Sequence, residues 1–236
     1  MNPVLKRTLT GLAVGGAVIA ASLLAPPGAI VTVVMVLAVL AMVEFALLMK
    51  MKSSRPGAVH AVVFHAVVFL AGVLLIGYGL LSLASVPFRY GEGEMCGPFR
   101  LGNVLLLYVI AIVKFSDVGG FAFGLTSAKL MKGGNHKLCP TISPNKSWEG
   151  LFGSIFASCL VSCSFMGATG FGWAKSLALG AAAALLGTAG DLVESKFKRW
   201  VGVKDSSATK MTNGLGGILD MIDSLLIAPP VLLAFL

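Results

Sequence analysis

Long uncharged apolar runs separated by short polar segments fill most of the chain, and the runs are too continuous for the two-residue alternation of barrel strands. A helix needs about 20 apolar residues to cross the hydrocarbon core. On that measure the pattern predicts spans at Leu9 to Leu24, Ala29 to Met49, Ala58 to Val86, Leu101 to Gly124, Leu151 to Phe171, Trp173 to Leu192 and Gly217 to Leu236. The expected fold is all-α, a polytopic helical membrane protein of about seven transmembrane helices. The third stretch is overlong, and a break at Gly77 and Gly79 would raise the count to about eight. Residues 1–236 are expected to form a single integral membrane domain, with N-terminal transmembrane helices over 1–100 and cytoplasm-facing motifs over 101–236.

Composition agrees: the chain is 57% hydrophobic and 12% charged, which excludes an ordinary soluble domain. Cytoplasmic loops collect Lys and Arg. With the N-terminus inside, only Arg89, Arg100 and Lys175 fall in outside segments and Lys114 lies within a span; every other basic residue falls inside. That asymmetry predicts a cytoplasmic N-terminus and an odd number of crossings. The net charge of +8 is mostly this loop bias, so it points to anionic headgroups and anionic substrates rather than nucleic acid. Lys6 and Arg7, an apolar run and Ala25-Pro26-Pro27 also have the layout of a cleaved signal peptide. A second span follows at once, and the topology closes with the first retained.

The four cysteines form no CxxC pair and have no histidine at zinc-finger spacing, so they are read as packing residues. Glu44, inside the second span, is read as a snorkelling or helix-pairing group.

The acidic residues carry more information, because ionisable groups at membrane depth are costly unless paired or metal-bound. Only ten Asp and Glu occur, yet Asp191 with Glu194 and Asp220 with Asp223 form two pairs at helical i, i+3 spacing. Between them lie Ser195, Lys198, Arg199, Lys204, Asp205 and the run Gly214-Leu215-Gly216-Gly217. Carboxylates from two helices can hold a hard cation such as Mg²⁺, which takes further oxygens from substrate phosphates. The neighbouring bases can neutralise phosphate oxygens left free. Salt bridges alone would account for the charges, but not for their clustering with glycines at one membrane face. A second segment, Thr141 to Gly150, places Ser143, Lys146, Ser147 and Glu149 just before a span. Ser143 followed by Pro144 suits a helix N-cap with proline in the first turn, and hydroxyls, amides and an ammonium at a helix start favour an anion. In a third segment, Lys114 and Asp117 lie one turn apart inside a span, ahead of Gly119, Gly120 and Gly124.

At these residues the chain resembles the CDP-diacylglycerol synthase (phosphatidate cytidylyltransferase) family. The family's C-terminal pattern is a Ser, a Lys-Arg pair, a Lys-Asp pair, Gly-His-Gly-Gly and Asp-Arg-x-Asp. It appears here as Ser195, Lys198-Arg199, Lys204-Asp205, Gly214-Leu215-Gly216-Gly217 and Asp220-Met221-Ile222-Asp223. The Ser-Pro-x-Lys-Thr-x-Glu-Gly element matches Ser143 to Gly150, and the Asp-x-x-Ala-Tyr-x-x-Gly element matches Asp117 to Gly124 with Gly120 and Phe121 substituted. The likeness runs from Lys114 to the C-terminus. Leu215 stands where the family has His and Met221 where it has Arg.

The resemblance implies a reaction in which phosphatidic acid attacks the α-phosphorus of CTP, giving CDP-diacylglycerol and pyrophosphate. More than one cation, Mg²⁺ foremost, would then be held by Asp191, Asp220 and Asp223, with Glu194 as support or an added ligand. Lys198, Arg199 and Lys204 would contact substrate phosphates, with Asp205 orienting one of these bases. Ser143, Lys146, Ser147, Glu149 and Ser195 would bind nucleotide or lipid phosphate, and Asp117 would support the cavity. The implied setting is the bacterial inner (cell) membrane, with the site at the cytoplasmic face, membrane lipids around it and a homodimeric assembly. The same residue types would also serve a CTP-dependent lipid-alcohol kinase or a cytidylyltransferase for another lipid phosphate. An ion-coupled transporter and a non-catalytic paralogue are more distant alternatives.

Overall fold

The structure is a computed structural model that describes residues 15–53, 59–89, 94–203 and 217–236. Lys6 and Arg7, together with Lys204, Asp205, Gly214, Leu215 and Gly216, lie outside the described residues. The helices are α1 (Gly15–Leu24), α2 (Pro27–Ser53), α3 (Val59–Ser85), α4 (Leu101–Leu130), α5 (Trp148–Ser164), α6 (Met166–Thr169), α7 (Trp173–Val201), α8 (Ile218–Ile222) and α9 (Ser224–Leu232). Two short antiparallel hairpins interrupt them: β1 (Met95–Cys96) with β2 (Phe99–Arg100), and β3 (Lys137–Cys139) with β4 (Ser143–Ser147).

Four helices, α2, α3, α4 and α7, are long and apolar enough to cross a membrane. Their surfaces are apolar on both sides: Val33, Leu70, Leu74 and Leu185 face outward while Ala41, Leu48, Val109, Ile112 and Ala183 are buried. The chain is thus an all-α integral membrane protein, because only lipid accommodates helices apolar all round.

Individual elements differ from the hydropathy pattern. α3 is continuous through Gly77 and Gly79, since neighbouring helices fill the space that would otherwise favour a break; a Cβ on Gly79 would lie 2.4 Å from the Leu226 carbonyl oxygen of α9. The stretch from Leu151 to Phe171 ends its main helix at Ser164 and adds only the single turn α6, closed by Gly170 at φ +70°. The final stretch splits at Asp223, whose carboxylate accepts a hydrogen bond from the Ser224 amide and starts α9 afresh. α7 runs seamlessly to Val201, so Asp191, Glu194, Ser195, Lys198 and Arg199 all ride on one helix.

Ser143 is not a helix cap. It pairs with Cys139 in the β3–β4 hairpin, and Ser147 takes the cap instead, its Oγ accepting from the Gly150 amide at 3.0 Å. Proline at 144 suits this edge strand, where a missing amide donor costs nothing.

The core joins α4 to α5 and α7, α7 to α9, and α3 to α2 and α9. α4 and α5 touch at backbone distance: a Cβ on Gly153 would lie 2.7 Å from the Gly119 carbonyl oxygen and 2.4 Å from Phe123 Cβ. The same holds between α7 and α9, where a Cβ on Gly190 would lie 2.5 Å from the Asp223 carbonyl oxygen. Just past the other end of α9, the Arg89 guanidinium donates to the Leu233 carbonyl.

Candidate active site

Close packing at Gly190 lays the α8–α9 junction against α7, and this brings the two acidic pairs together. Lys198 Nζ donates to Glu194 Oε2 at 3.2 Å and to Asp220 Oδ1 at 2.5 Å, bridging α7 to α8. Glu194, with its side chain only 7% exposed, lies within electrostatic reach of Asp220 and Asp223. Asp223 in turn lies within electrostatic reach of Asp191.

Two further lysines flank the cluster. Lys146 Nζ, from β4, donates to Asp191 Oδ2 at 2.6 Å and to the Thr188 carbonyl at 3.5 Å, fastening the hairpin to α7. Lys114 Nζ lies 3.4 Å from Asp117 Oδ2, 2.8 Å from Ser224 Oγ and 2.9 Å from the Met221 carbonyl. The Ser224 hydroxyl lies 3.0 Å from Asp117 Oδ2, so α4 and α9 share a small network. Lys114 and Asp117 do form the i, i+3 pair that their spacing predicts, and they additionally tie α4 to the α8–α9 junction.

Two cavities adjoin these carboxylates. A polar one of about 270 Å³ is bounded by Asp117, Asp191, Lys146, Ser143, Ser147 and Thr188. An apolar one of about 390 Å³ is walled by Phe45, Phe64, Leu75, Phe197 and Trp200, with Glu194 and Asp223 on its lining. The acidic cluster therefore adjoins both a polar recess and an apolar cleft.

Two predicted site residues take other positions, and a third, on the polar cavity's wall, has its hydroxyl engaged. Glu149 turns toward the hairpin, its Oε1 accepting from His136 Nδ1 at 2.7 Å and from the His136 amide at 3.2 Å. The His136 hydrogen bond holds that carboxyl down to about 2. Arg199 is exposed and donates to the Val203 carbonyl at 3.3 Å, capping the end of α7 rather than reaching the cluster. Ser147 is buried and its hydroxyl is occupied at the helix start. Ser195 is half-buried on α7, and Ser143 lines the polar cavity. Met221, in place of the family's Arg, is 54% exposed and contributes its carbonyl to Lys114.

Whether the residues suit divalent cations can be judged from their oxygens. Among the described residues none donates a hydrogen bond to the buried Asp191 Oδ1 or Glu194 Oε1, a costly state for carboxylate oxygens unless a cation completes it. Among the described residues, no three His, Cys, Asp or Glu side chains close on one point. Mg²⁺ asks for less, since it is usually bound by one or two carboxylates plus waters and substrate phosphates. The donor set fits that mode and not an all-protein cage.

Sequence comparison bears on the same region. The Cytidylyltransferase family profile matches residues 76–236, which hold α4 to α9 and every residue of the cluster. The chain belongs to the cytidylyltransferase family. It is 43% identical over 129 residues to the phosphatidate cytidylyltransferase of Staphylococcus aureus, covering 54% of this chain and 46% of that protein. It is 38% identical over 140 residues to the phosphatidate cytidylyltransferase of Haemophilus influenzae, covering 55% of this chain and 44% of that protein. The chain thus matches rather less than half the length of these curated relatives.

Sequence reasoning missed Ser224, Thr188 and the importance of Gly190. Ser224 and Gly190 each adjoin an acidic residue of the cluster, which was the available signal; the Thr188 carbonyl left none.

Proposed function

We propose that the chain transfers CMP from CTP to phosphatidic acid, yielding CDP-diacylglycerol and pyrophosphate. The observation that carries this reading is the lysine-bridged carboxylate cluster that adjoins both a polar cavity and an apolar cleft. CTP, arriving from water, fits the polar side, where Lys146 and the Ser143 hydroxyl meet Asp117 and Asp191. The acyl chains of the lipid fit the apolar side, between α3 and α7.

In the reaction a phosphate oxygen of the lipid bonds to the α-phosphorus of CTP while the bond to the bridging oxygen of the β-phosphate breaks, and pyrophosphate departs. A phosphate monoester is already a competent nucleophile, so positioning and charge neutralisation supply most of the catalysis. Lys146 and Lys198 are placed to exchange a carboxylate partner for a substrate phosphate. Asp191, Glu194, Asp220 and Asp223 would hold Mg²⁺, which when bound neutralises charge on the attacking and leaving oxygens. Lys204 and Asp205 retain their proposed phosphate-contact and orienting roles; Arg199 would need to leave the helix end to take one.

Counting α1, α5 and the α8–α9 segment as crossings beside the four long helices gives about seven spans. With the N-terminus cytoplasmic, the C-terminal ends of α2, α4 and α7 and the start of α8 share the cytoplasmic face, as the clustering of Lys114, Lys146, Lys198 and Asp220 favours. We place the chain in the bacterial inner membrane, surrounded by lipid and assembled as a homodimer.

Purified protein in detergent with CTP, Mg²⁺ and phosphatidic acid tests the assignment. CDP-lipid with equimolar pyrophosphate supports it. In a parallel assay that supplies a lipid alcohol in place of phosphatidic acid, CDP together with the newly phosphorylated alcohol would instead establish kinase activity and overturn it.

A further inference from the structure

A buried carboxylate lies outside residues 76–236, which the family profile matches. Glu44 sits two-thirds along α2, is 0% exposed, and is clamped between Ala41 and Leu48, themselves 0% exposed. Its Oε2 accepts a hydrogen bond from the Leu219 amide at 2.8 Å, spanning 175 positions of sequence. The recipient is the first turn of α8, whose N-cap residue is Gly217 and carries no side chain to cap it. Ile218 and Leu219 are 8% and 3% exposed, so water has little access to replace a lost acceptor. Asp220 is the next residue, and Asp223 closes the same short helix.

We propose that Glu44 is a positioning residue: by capping α8 from α2, it sets the height and rotation of Asp220 and Asp223 against Glu194 and Lys198. A five-residue helix has too few internal hydrogen bonds to hold itself, so its orientation is inherited from whatever satisfies its orphan amides. Phe45, the neighbour of Glu44, packs at a tilt against Phe197 of α7 with ring centroids 4.8 Å apart, so α2 touches both helices whose carboxylates must meet. The proposal rests on the cation-holding role given to the cluster above.

The test uses the purified protein with Glu44→Gln, which keeps an acceptor, and Glu44→Leu, which removes it. Mn²⁺ binding is read by electron paramagnetic resonance, and amide exchange over residues 218–222 by mass spectrometry. Glu44→Leu should weaken Mn²⁺ binding by about tenfold or more, the usual effect of losing a residue that orients metal ligands. Its exchange should accelerate, while Glu44→Gln stays near wild type on both readouts. If Glu44→Leu fails to fold, Glu44→Asp, shorter by one methylene, is read by the same criteria. Accelerated exchange with unchanged Mn²⁺ affinity would reduce Glu44 to a structural cap and overturn the proposal, as would equal impairment of the Gln and Leu variants. Wild-type protein that binds no Mn²⁺ would refute the cation site itself and this proposal with it, an outcome distinct from losses confined to the variants.

Discussion

Lys198→Met isolates the electrostatic core of the site. The lysine side chain is 13% exposed and touches Glu194 at 3.2 Å and Asp220 at 2.5 Å. Methionine preserves the apolar stem and its packing, so the change reports mainly the lost charge. Removing one member of a buried ion pair typically costs about 3–5 kcal/mol, because the partner is left uncompensated. Asp220 is 26% exposed and water screens part of its share, which places the expected cost near the lower end, about 3 kcal/mol. Adding Asp220→Asn to Lys198→Met removes one of the stranded charges and should recover about 1–2 kcal/mol relative to additivity. Saturating Mg²⁺ should stabilise Lys198→Met more than wild type, since a cation then replaces the missing ammonium. Equilibrium unfolding by denaturant in mixed micelles measures all three. A single-variant cost under about 0.5 kcal/mol, or strict additivity in the double variant, would show that the bridge is a surface-like pair and that the cluster is not electrostatically frustrated.

Other consequences are simpler to read. Asp220→Asn should leave the protein folded and lower kcat by about 10²- to 10³-fold, the several kcal/mol that a cation supplies in phosphoryl transfer; CDP-lipid formation at near wild-type rate would remove Asp220 from that role. Gly190→Ala should push α9 off α7, because the added Cβ meets the Asp223 carbonyl at 2.5 Å, costing about 1–3 kcal/mol in thermal or denaturant melts and most of the activity. An Ala variant with unchanged stability would contradict the close crossing. Glu149 has its carboxyl depressed from 4.5 to about 2 by its His136 hydrogen bond. Its contribution to holding the β3–β4 hairpin is therefore complete above pH 4.5, declines as pH falls and is gone below about pH 2. Pepsin cleavage within 137–147 should rise across that window in wild type but not in Glu149→Gln, and a rise common to both would sever the hairpin from this pair.

The sequence alone determined the solvent of this protein. Uncharged runs of helical length have nowhere to go but lipid, so α2, α3, α4 and α7 were legible from hydropathy. The acidic pairs were legible too, because charge is scarce and expensive there. Local chemistry could not choose between rival caps: Ser143-Pro144 has every feature of a helix start, yet pairing with Cys139 claims it for a strand and leaves the cap to Ser147. Nor could it show that Glu149 would be engaged by His136, or that Arg199 would turn to the end of its own helix. Hydrogen-bond partners far apart in sequence were invisible for the same reason: Glu44 meets Leu219, and Lys114 meets Ser224, only because the bundle packs α2 against α8 and α4 against α9. Composition sets which groups must be buried, whereas the partner that relieves each buried charge is chosen by packing, and packing is a property of the whole bundle.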